Sequence, residues 1–230
     1  MRRGDMARLT GTLLRLTVLL GVLFSFGLAF WGPYRQIGMS GETGDGATHV
    51  SAGTNPAAII ASVAMLAIYC LILGNRVAIY GSRIASIWRR TAALVIDLWV
   101  VVFSMGALSG CCAVLLEAHR TGQFRWYFER DYAVATDGFA VALVFISLAA
   151  LVAYFLLPLM RGGQTLGGWV FRIVTVNLEG YAVVLTFSMA TRRLLAGFRG
   201  LMSPVKTLKG RDEQGRTLYD LESGYTVVSY

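Results

Sequence analysis

Four long apolar stretches constrain this chain more than any other feature. They lie near Leu9 to Trp31, Pro56 to Leu73, Thr91 to Leu116 and Phe139 to Met160. At a rise of about 1.5 Å per residue, each is long enough to cross a hydrocarbon core of about 30 Å. Hydrophobic residues make up 56% of the 230 residues and charged residues only 15%, which argues against a soluble enzyme. We therefore predict an all-α polytopic membrane protein with four transmembrane helices and no enzymatic activity.

The first apolar stretch follows Arg2, Arg3 and Arg8, as a secretory signal would. No small-x-small cleavage site follows Gly27 to Ala29, however, so we expect a retained signal anchor.

Basic residues predict the orientation, because lysine and arginine near span ends are retained in the cytoplasm. They concentrate before span one, between spans two and three, and after span four, whereas acidic residues dominate the two remaining loops. Both termini are therefore predicted to be cytoplasmic. The net charge of +8 then reflects topology, and the lipid bilayer rather than nucleic acid is the expected partner.

The two loops on the outer side differ in composition. Residues 32 to 55 are rich in glycine, serine and threonine and lack an apolar period, which predicts a flexible connector. Residues 117 to 137 contain Trp126, Tyr127 and Phe128 among charges. Such a mixture suits the headgroup layer, so we favour interface anchoring over a ligand cage.

The sequence after span four is less apolar and rich in turns. A glycine-rich turn at Gly162 to Gly168 precedes a β-prone run, Val170 to Val176, and a second run at Tyr181 to Thr186, which together predict a hairpin. Ser188 to Met202 has the spacing of an amphipathic helix lying in the cytoplasmic interface. Tyr225 to Val228 predicts a short strand. We thus expect a cytoplasmic C-terminal segment that is partly β-prone and partly amphipathic.

Several kinds of site are excluded by what the sequence lacks. The turn has no Gly-Lys-Ser/Thr ending for a phosphate loop, and both histidines, His49 and His119, lie in the outer loops rather than in a span that could hold haem. The three cysteines do not match a zinc site. We expect no cofactor and no metal. The Gly106-xxx-Gly110 element permits close helix packing, either within the chain against span four or in a homo-oligomer.

Five features in the second half occur in a recognisable order. They are Arg90 to Asp97 at the entrance of span three, GGQTLG at Gly162 to Gly167, RIVTVNLEG at Arg172 to Gly180, the Arg192 to Leu195 cluster, and RTLYDLESGYTVV at Arg216 to Val228. In this order the chain resembles the RDD family of bacterial membrane proteins. The resemblance covers roughly Trp88 to Tyr230, so we predict an RDD-like module at 88–230 and an N-terminal pair of helices at 1–87.

The resemblance implies a bacterial inner-membrane location and a set of three polar residues. Arg90 and Asp97 match the helix-entry pair of the family, and Asp220 is the best match for its second aspartate. The family usually carries a lysine after the GQTxG turn, where this chain has Gly168. Ligand transport is suggested for the family, and sodium/proton exchange is linked to some members.

Two hypotheses compete for Asp97, because a carboxylate inside a span must face other helices, be protonated or find a cation. In one, Asp97 alternates between proton and cation occupancy. In the other, it is a structural acceptor for backbone amides or for Arg172, Arg192 or Arg193. The turn residues Gly163, Gln164, Thr165 and Gly167 are expected to return the chain tightly and satisfy backbone groups.

The two hypotheses lead to two functions. The first is transport of a small ion or solute, most concretely cation/proton exchange. The alternative is a non-enzymatic membrane scaffold or assembly factor that docks a membrane-protein partner or anionic lipid. For Arg90, we expect replacement by lysine to be better tolerated than replacement by leucine, since either cation could reach the headgroups.

Overall fold

The computed structural model describes residues 3–30, 38–44, 47–73, 83–133, 138–177, 184–202 and 216–229. The chain forms two compact units, which are described separately. The first contains Met1–Ala67 and Leu98–Ala150, and the second contains Ile68–Asp97 and Leu151–Tyr230.

The described chain is mostly helical but also contains two small sheets. Its helices are α1 (Arg3–Phe30), α2 (Pro56–Leu73), α3 (Ile87–Thr121), α4 (Gly138–Arg161), α5 (Leu166–Val170), α6 (Phe187–Met202) and α7 (Leu218–Ser223). Its strands are β1 (Gly38–Gly44), β2 (Ala47–Gly53), β3 (Arg83–Ile84), β4 (Tyr127–Ala133), β5 (Ile173–Asn177) and β6 (Tyr225–Ser229). The prediction of an all-α fold is corrected accordingly.

Three helices in the described part of the chain are long and apolar enough to cross a membrane. These segments are Gly11–Phe30, Pro56–Leu73 and Ile87–Thr121, and their 18-residue stretches reach mean hydropathies of 2.1, 2.4 and 2.1. Many of their leucine, valine and phenylalanine side chains are exposed, as lipid-facing side chains are. Helix α4 contains an apolar segment, Phe145–Arg161, that is shorter than these three. The protein is therefore a helical membrane protein, and its fourth span stays a prediction.

The first unit contains an antiparallel sheet with strand order β1-β2-β4. Gly38 pairs with Gly53, and Ser51 pairs with Glu129. The two loops 32–55 and 117–137 thus contribute strands to one sheet. The sequence had predicted a flexible connector for the first of these loops. Low apolar content concealed β1 and β2 in the sequence. Strand β2 also pairs with β4, which is distant in sequence.

An exposed ion pair joins two strands of this sheet. The Nδ1 atom of His49 lies 2.6 Å from Oδ1 of Asp131. Hydrogen bonding to the Asp131 carboxylate raises the pKa of His49 above its usual 6.5, because it favours the protonated imidazole. The histidine thus contributes to strand pairing and not to a buried site.

The glycines of the GxxxG element allow the backbone at the end of β2 to pack closely against α3. A Cβ atom on Gly110 would lie 2.2 Å from the carbonyl oxygen of Gly53, and the hydroxyl of Thr54 donates to the carbonyl of Ala107 at 3.1 Å. A side chain at position 110 would therefore collide with backbone. This close approach is to strand β2 and the residue after it, whereas the sequence suggested span four or a second copy.

Trp99 anchors the same helix against α1. Its indole N–H donates to the hydroxyl of buried Ser25 at 2.7 Å, and its ring stacks on Phe26 with centroids 3.6 Å apart. The serine satisfies the one polar atom of the indole in an apolar surrounding.

The second unit contains an antiparallel sheet with strand order β3-β6-β5. Val174, Val176 and Val228 form its buried face, and alternate residues of β6 point inward. The strand predicted at Tyr225 to Val228 is present, and it pairs with β5. The predicted hairpin arm at Tyr181 to Thr186 lies partly outside the described residues, and its described part, 184–186, is not a strand. The partner of β5 thus comes from far along the chain.

Candidate functional site

Asp97 lies nearly three turns into α3 and is 4% exposed. Its Oδ1 atom accepts hydrogen bonds from the Tyr154 hydroxyl at 2.6 Å and from the Gly167 backbone amide at 2.7 Å. Its Oδ2 atom accepts one from the Thr165 hydroxyl at 2.6 Å. The carboxylate therefore joins α3, α4 and the start of α5 through three neutral donors.

The turn that supplies two of these donors is built from the GGQTLGG sequence. Gly162 adopts a positive φ of 66°, and the amide of Gly163 returns to the carbonyl of Pro158 at 2.8 Å. Gln164 is buried and donates through its side-chain amide to the carbonyl of Ile173. Thr165 caps α5 by accepting from the amide of Gly168 at 3.2 Å. The turn is thus ordered by its own polar side chains.

Gly167 occupies a place where no larger residue fits. A Cβ atom there would lie 2.1 Å from the carbonyl oxygen of Ala93, one helical turn before Asp97. The close approach of the two backbones brings the amide of Gly167 within hydrogen-bond distance of the carboxylate. Glycine is required at this position for packing and not for an unusual φ.

Two tyrosines support the carboxylate, and sequence reasoning did not select either of them. Tyr154 is 5% exposed, and its hydroxyl also accepts from the amide of Leu166 at 3.2 Å. Tyr69 stacks on Tyr154 with ring centroids 4.5 Å apart and donates to its backbone carbonyl at 2.8 Å. The available signal was a phenolic hydroxyl within an apolar span, which needs a partner when it is buried.

A second buried polar group, the Arg90–Asp220–Arg193 cluster, lies at the start of α3. Asp220 is fully buried, and its Oδ2 atom is 2.6 Å from Nη1 of Arg90. Its Oδ1 atom is 3.5 Å from Nη2 of Arg193. Asp220 also accepts from the amide of Thr217 at 3.0 Å, as part of the capping box of α7. One carboxylate thus lies between two buried guanidiniums.

Both arginines also bind backbone carbonyls of β6 and its neighbours. Arg90 donates to the carbonyls of Ala85 at 3.0 Å and Val227 at 3.1 Å. Arg193 donates to the Ser223 hydroxyl and to the Tyr225 carbonyl, both at 2.8 Å. The cluster therefore fastens the second sheet to the helices α3, α6 and α7.

The two groups differ from the expected arrangement of polar residues. Arg90 pairs with Asp220, which the sequence had named only as a third member of the set. The three arginines considered as partners of the Asp97 carboxylate lie elsewhere. Arg193 binds Asp220, while Arg172 and Arg192 are exposed. In place of these arginines, the turn at Thr165 to Gly167 supplies two of the three donors to the carboxylate. Among the described residues, no group of three or more histidine, cysteine, aspartate or glutamate side chains could hold a metal.

A comparison with protein families identifies the chain. The model of the RDD family matches residues 84–222. The chain belongs to the RDD family. No curated protein and no solved structure gives a match. The matched range contains both buried polar groups apart from Tyr69, Ser223, Tyr225 and Val227. In this RDD protein, the arginine and the two aspartates selected from the sequence thus form two separate buried centres and not one.

Proposed function

We propose that this RDD protein exchanges a small cation for a proton across a bacterial inner membrane, with Asp97 as the exchanging carboxylate. The supporting observation is that the three donors on Asp97 are all neutral. A buried carboxylate needs a compensating charge, and here a proton or a bound cation is the means of supplying it. Arg90 and Arg193, the buried cations among the described residues of this unit, are both paired with Asp220.

The atoms around Asp97 are suited to a hard monovalent cation. The two carboxylate oxygens are joined by the hydroxyl oxygens of Tyr154 and Thr165, and oxygen ligands are those that such cations prefer. Each hydroxyl can rotate to donate to the carboxylate or to present a lone pair. When the cation enters, the carboxyl group releases its proton, and the net charge of the site is unchanged.

The proposal includes a fourth span and a defined orientation. Helix α4 has 24 residues, which at 1.5 Å per residue exceeds about 30 Å of hydrocarbon. The excess of basic residues at both ends of the chain supports cytoplasmic termini.

Cysteine labelling tests this orientation. In a background in which Cys70, Cys111 and Cys112 are replaced by serine, Gln123→Cys is expected to label from the outside and Glu222→Cys only from the cytoplasmic side. Both native residues are exposed, so access to reagent is not limited by packing. Labelling of position 222 by an impermeant reagent added to intact cells contradicts the orientation.

The decisive variant for exchange is Asp97→Asn. Its side-chain oxygen can still accept from Tyr154 and Gly167, and its amide can donate to the Thr165 hydroxyl, so we expect the protein to fold with a melting temperature close to that of the original. The titrating charge is gone, and sodium-driven proton movement in vesicles should therefore fall to the level of empty vesicles. The measurement is the fluorescence of an enclosed pH dye after a sodium jump.

The controls separate exchange from structure. Asp131→Asn removes an exposed carboxylate in the first unit and should leave the flux unchanged. Thr165→Ser retains the hydroxyl and should retain exchange, whereas Thr165→Val should weaken it. Full flux in Asp97→Asn, or a strongly destabilised Asp97→Asn protein, overturns the assignment of Asp97. An original protein without flux favours the alternative, a membrane scaffold, in which the three bonds of Asp97 serve packing alone.

A further inference from the structure

Three exposed arginines in the second unit have no partners among the described residues. Arg161 ends α4, Arg172 follows α5, and Arg192 lies on α6. None of their guanidiniums has a hydrogen bond or an ion pair within the described ranges. The described residues of 151–177 and 184–202 contain no aspartate or glutamate. These three guanidiniums, here called the arginine surface, are therefore available to an anion from outside the protein.

Arg172 is held in an unfavourable backbone conformation. Its φ is 52°, and it is the non-glycine residue with a positive φ in the described chain. Glycine or asparagine would adopt this left-handed conformation at lower cost. Its amide closes the turn after α5 by donating to the carbonyl of Trp169 at 3.3 Å. Because its side chain makes no hydrogen bond or ion pair to the described residues, the described contacts give no reason for an arginine at this position.

Helix α6 presents one side to the protein and another to its surroundings. Ala190, Arg193 and Ala196 are buried, whereas Phe187 is 63% exposed and Leu195 is 56% exposed. With Arg192 on the same outer side, α6 combines exposed apolar and basic side chains, as helices at a membrane surface do.

The start of α6 is fixed to the end of the apolar helix α4. The amide of Leu185 donates to the carbonyl of Leu159 at 3.1 Å, and Leu185 and Ala190 form a buried cluster with Leu156. Because α4 ends at Arg161, where its apolar sequence also ends, the fourth span proposed above would place the start of α6 at the depth of the lipid headgroups.

We propose that α6 lies in the headgroup layer and that the arginine surface binds the phosphates of anionic phospholipids. Phe187 and Leu195 would enter the boundary of the acyl chains, while Arg161, Arg172 and Arg192 make charge-assisted hydrogen bonds to phosphate oxygens. Retention of basic residues in the cytoplasm explains why arginines lie at this end of the spans. That retention does not explain why Arg172 occupies a backbone position that favours glycine. A contact between Arg172 and lipid phosphate would explain it.

Two variants of Arg172 separate a lipid contact from a structural role. In neutral detergent, Arg172→Gly is expected to melt at a higher temperature than the original, because it relieves the backbone. When phosphatidylglycerol is titrated in, its apparent affinity, measured by the lipid-dependent rise in melting temperature, should fall about fivefold. Arg172→Lys retains the charge and should retain the affinity. The triple change of Arg161, Arg172 and Arg192 to glutamine should lower the affinity by roughly 100-fold.

The matched control is Arg125→Gln, which removes an exposed arginine of the first unit that is bound to Gln123, and it should leave the affinity unchanged. An unchanged affinity in Arg172→Gly contradicts the proposal. Inorganic phosphate that stabilises the protein equally well and competes with the lipid would indicate a soluble-anion site, and this result also overturns it.

The depth of α6 is tested independently with a fluorescent label at Leu195→Cys, in the cysteine-free background and in nanodiscs. Brominated lipid should quench this label, and it should not quench a label at Glu222→Cys on α7. Equal quenching of both labels, or no quenching at position 195, contradicts the placement of α6. Neither experiment depends on exchange at Asp97, so the two proposals can fail separately.

Discussion

Asp220→Ala is expected to lower the free energy of unfolding by about 3–5 kcal/mol, because it leaves the buried guanidiniums of Arg90 and Arg193 without their shared carboxylate. Removing one member of a buried ion group costs more than the group contributes, since the remaining charge keeps its desolvation penalty. Denaturant titration in detergent measures the loss. The matched control is Glu222→Ala, an exposed carboxylate on the same short helix, which should change stability by less than about 0.5 kcal/mol.

The same cluster changes the expectation for Arg90. From the sequence alone, lysine was expected to be better tolerated than leucine. In the structure, Arg90 donates from Nε, Nη1 and Nη2 to three acceptors in different directions. An ammonium group on a single stem cannot reproduce this geometry. We now expect Arg90→Lys to lose nearly as much stability as Arg90→Leu, and a lysine variant with unchanged stability would show that the fork of donors is not needed.

Gly167→Ala is expected to have a comparably large effect. The added methyl group would lie 2.1 Å from a backbone oxygen of α3, so α5 must move as a whole. We expect a loss of about 3 kcal/mol, at the upper end of the range for overpacking. Because the amide of Gly167 donates to Asp97, the variant should also lose exchange activity. Thermal unfolding and vesicle flux measure the two effects.

Two glycines provide graded controls for this variant. At Gly168 a Cβ atom would lie 3.1 Å from the side-chain oxygen of Thr165 and 3.3 Å from the carbonyl oxygen of Ile173, so only small shifts are needed and Gly168→Ala should cost less. At Gly21, within α1, nothing lies within 4 Å, and alanine should stabilise the helix by up to about 1 kcal/mol. If Gly167→Ala is as stable as Gly168→Ala, the close approach of α5 to α3 is not a constraint in the folded protein.

The helices and the family could be predicted from the sequence because both depend on local patterns. The stretch predicted at Pro56 to Leu73 is α2 with the same bounds, and the prediction of Thr91 to Leu116 falls within α3. Burial in lipid requires apolar residues without interruption over a fixed length, and that requirement can be read without knowledge of any contact. The RDD motifs could also be read from the sequence, and the family match confirms membership of the RDD family.

The β-strands could be predicted from the sequence only in part. A run of β-branched residues predicted β6, but its partners β3 and β5 could not be chosen from sequence. Strands β1 and β2 had neither strong alternation nor apolar content, and β2 also pairs with β4, about eighty positions away.

The sequence by itself determined that this is a helical membrane protein of the RDD family and singled out Arg90, Asp97 and Asp220 as its polar residues of interest. Tertiary structure alone decided how they pair. Arg90 meets Asp220 across 130 positions of sequence, and Asp97 meets Thr165 across 68. A buried charge requires a partner, which sequence reasoning can state, but the partner is selected by which backbones approach closely. That selection depends on small residues such as Gly167, whose role becomes visible only when the backbone of α3 lies against it.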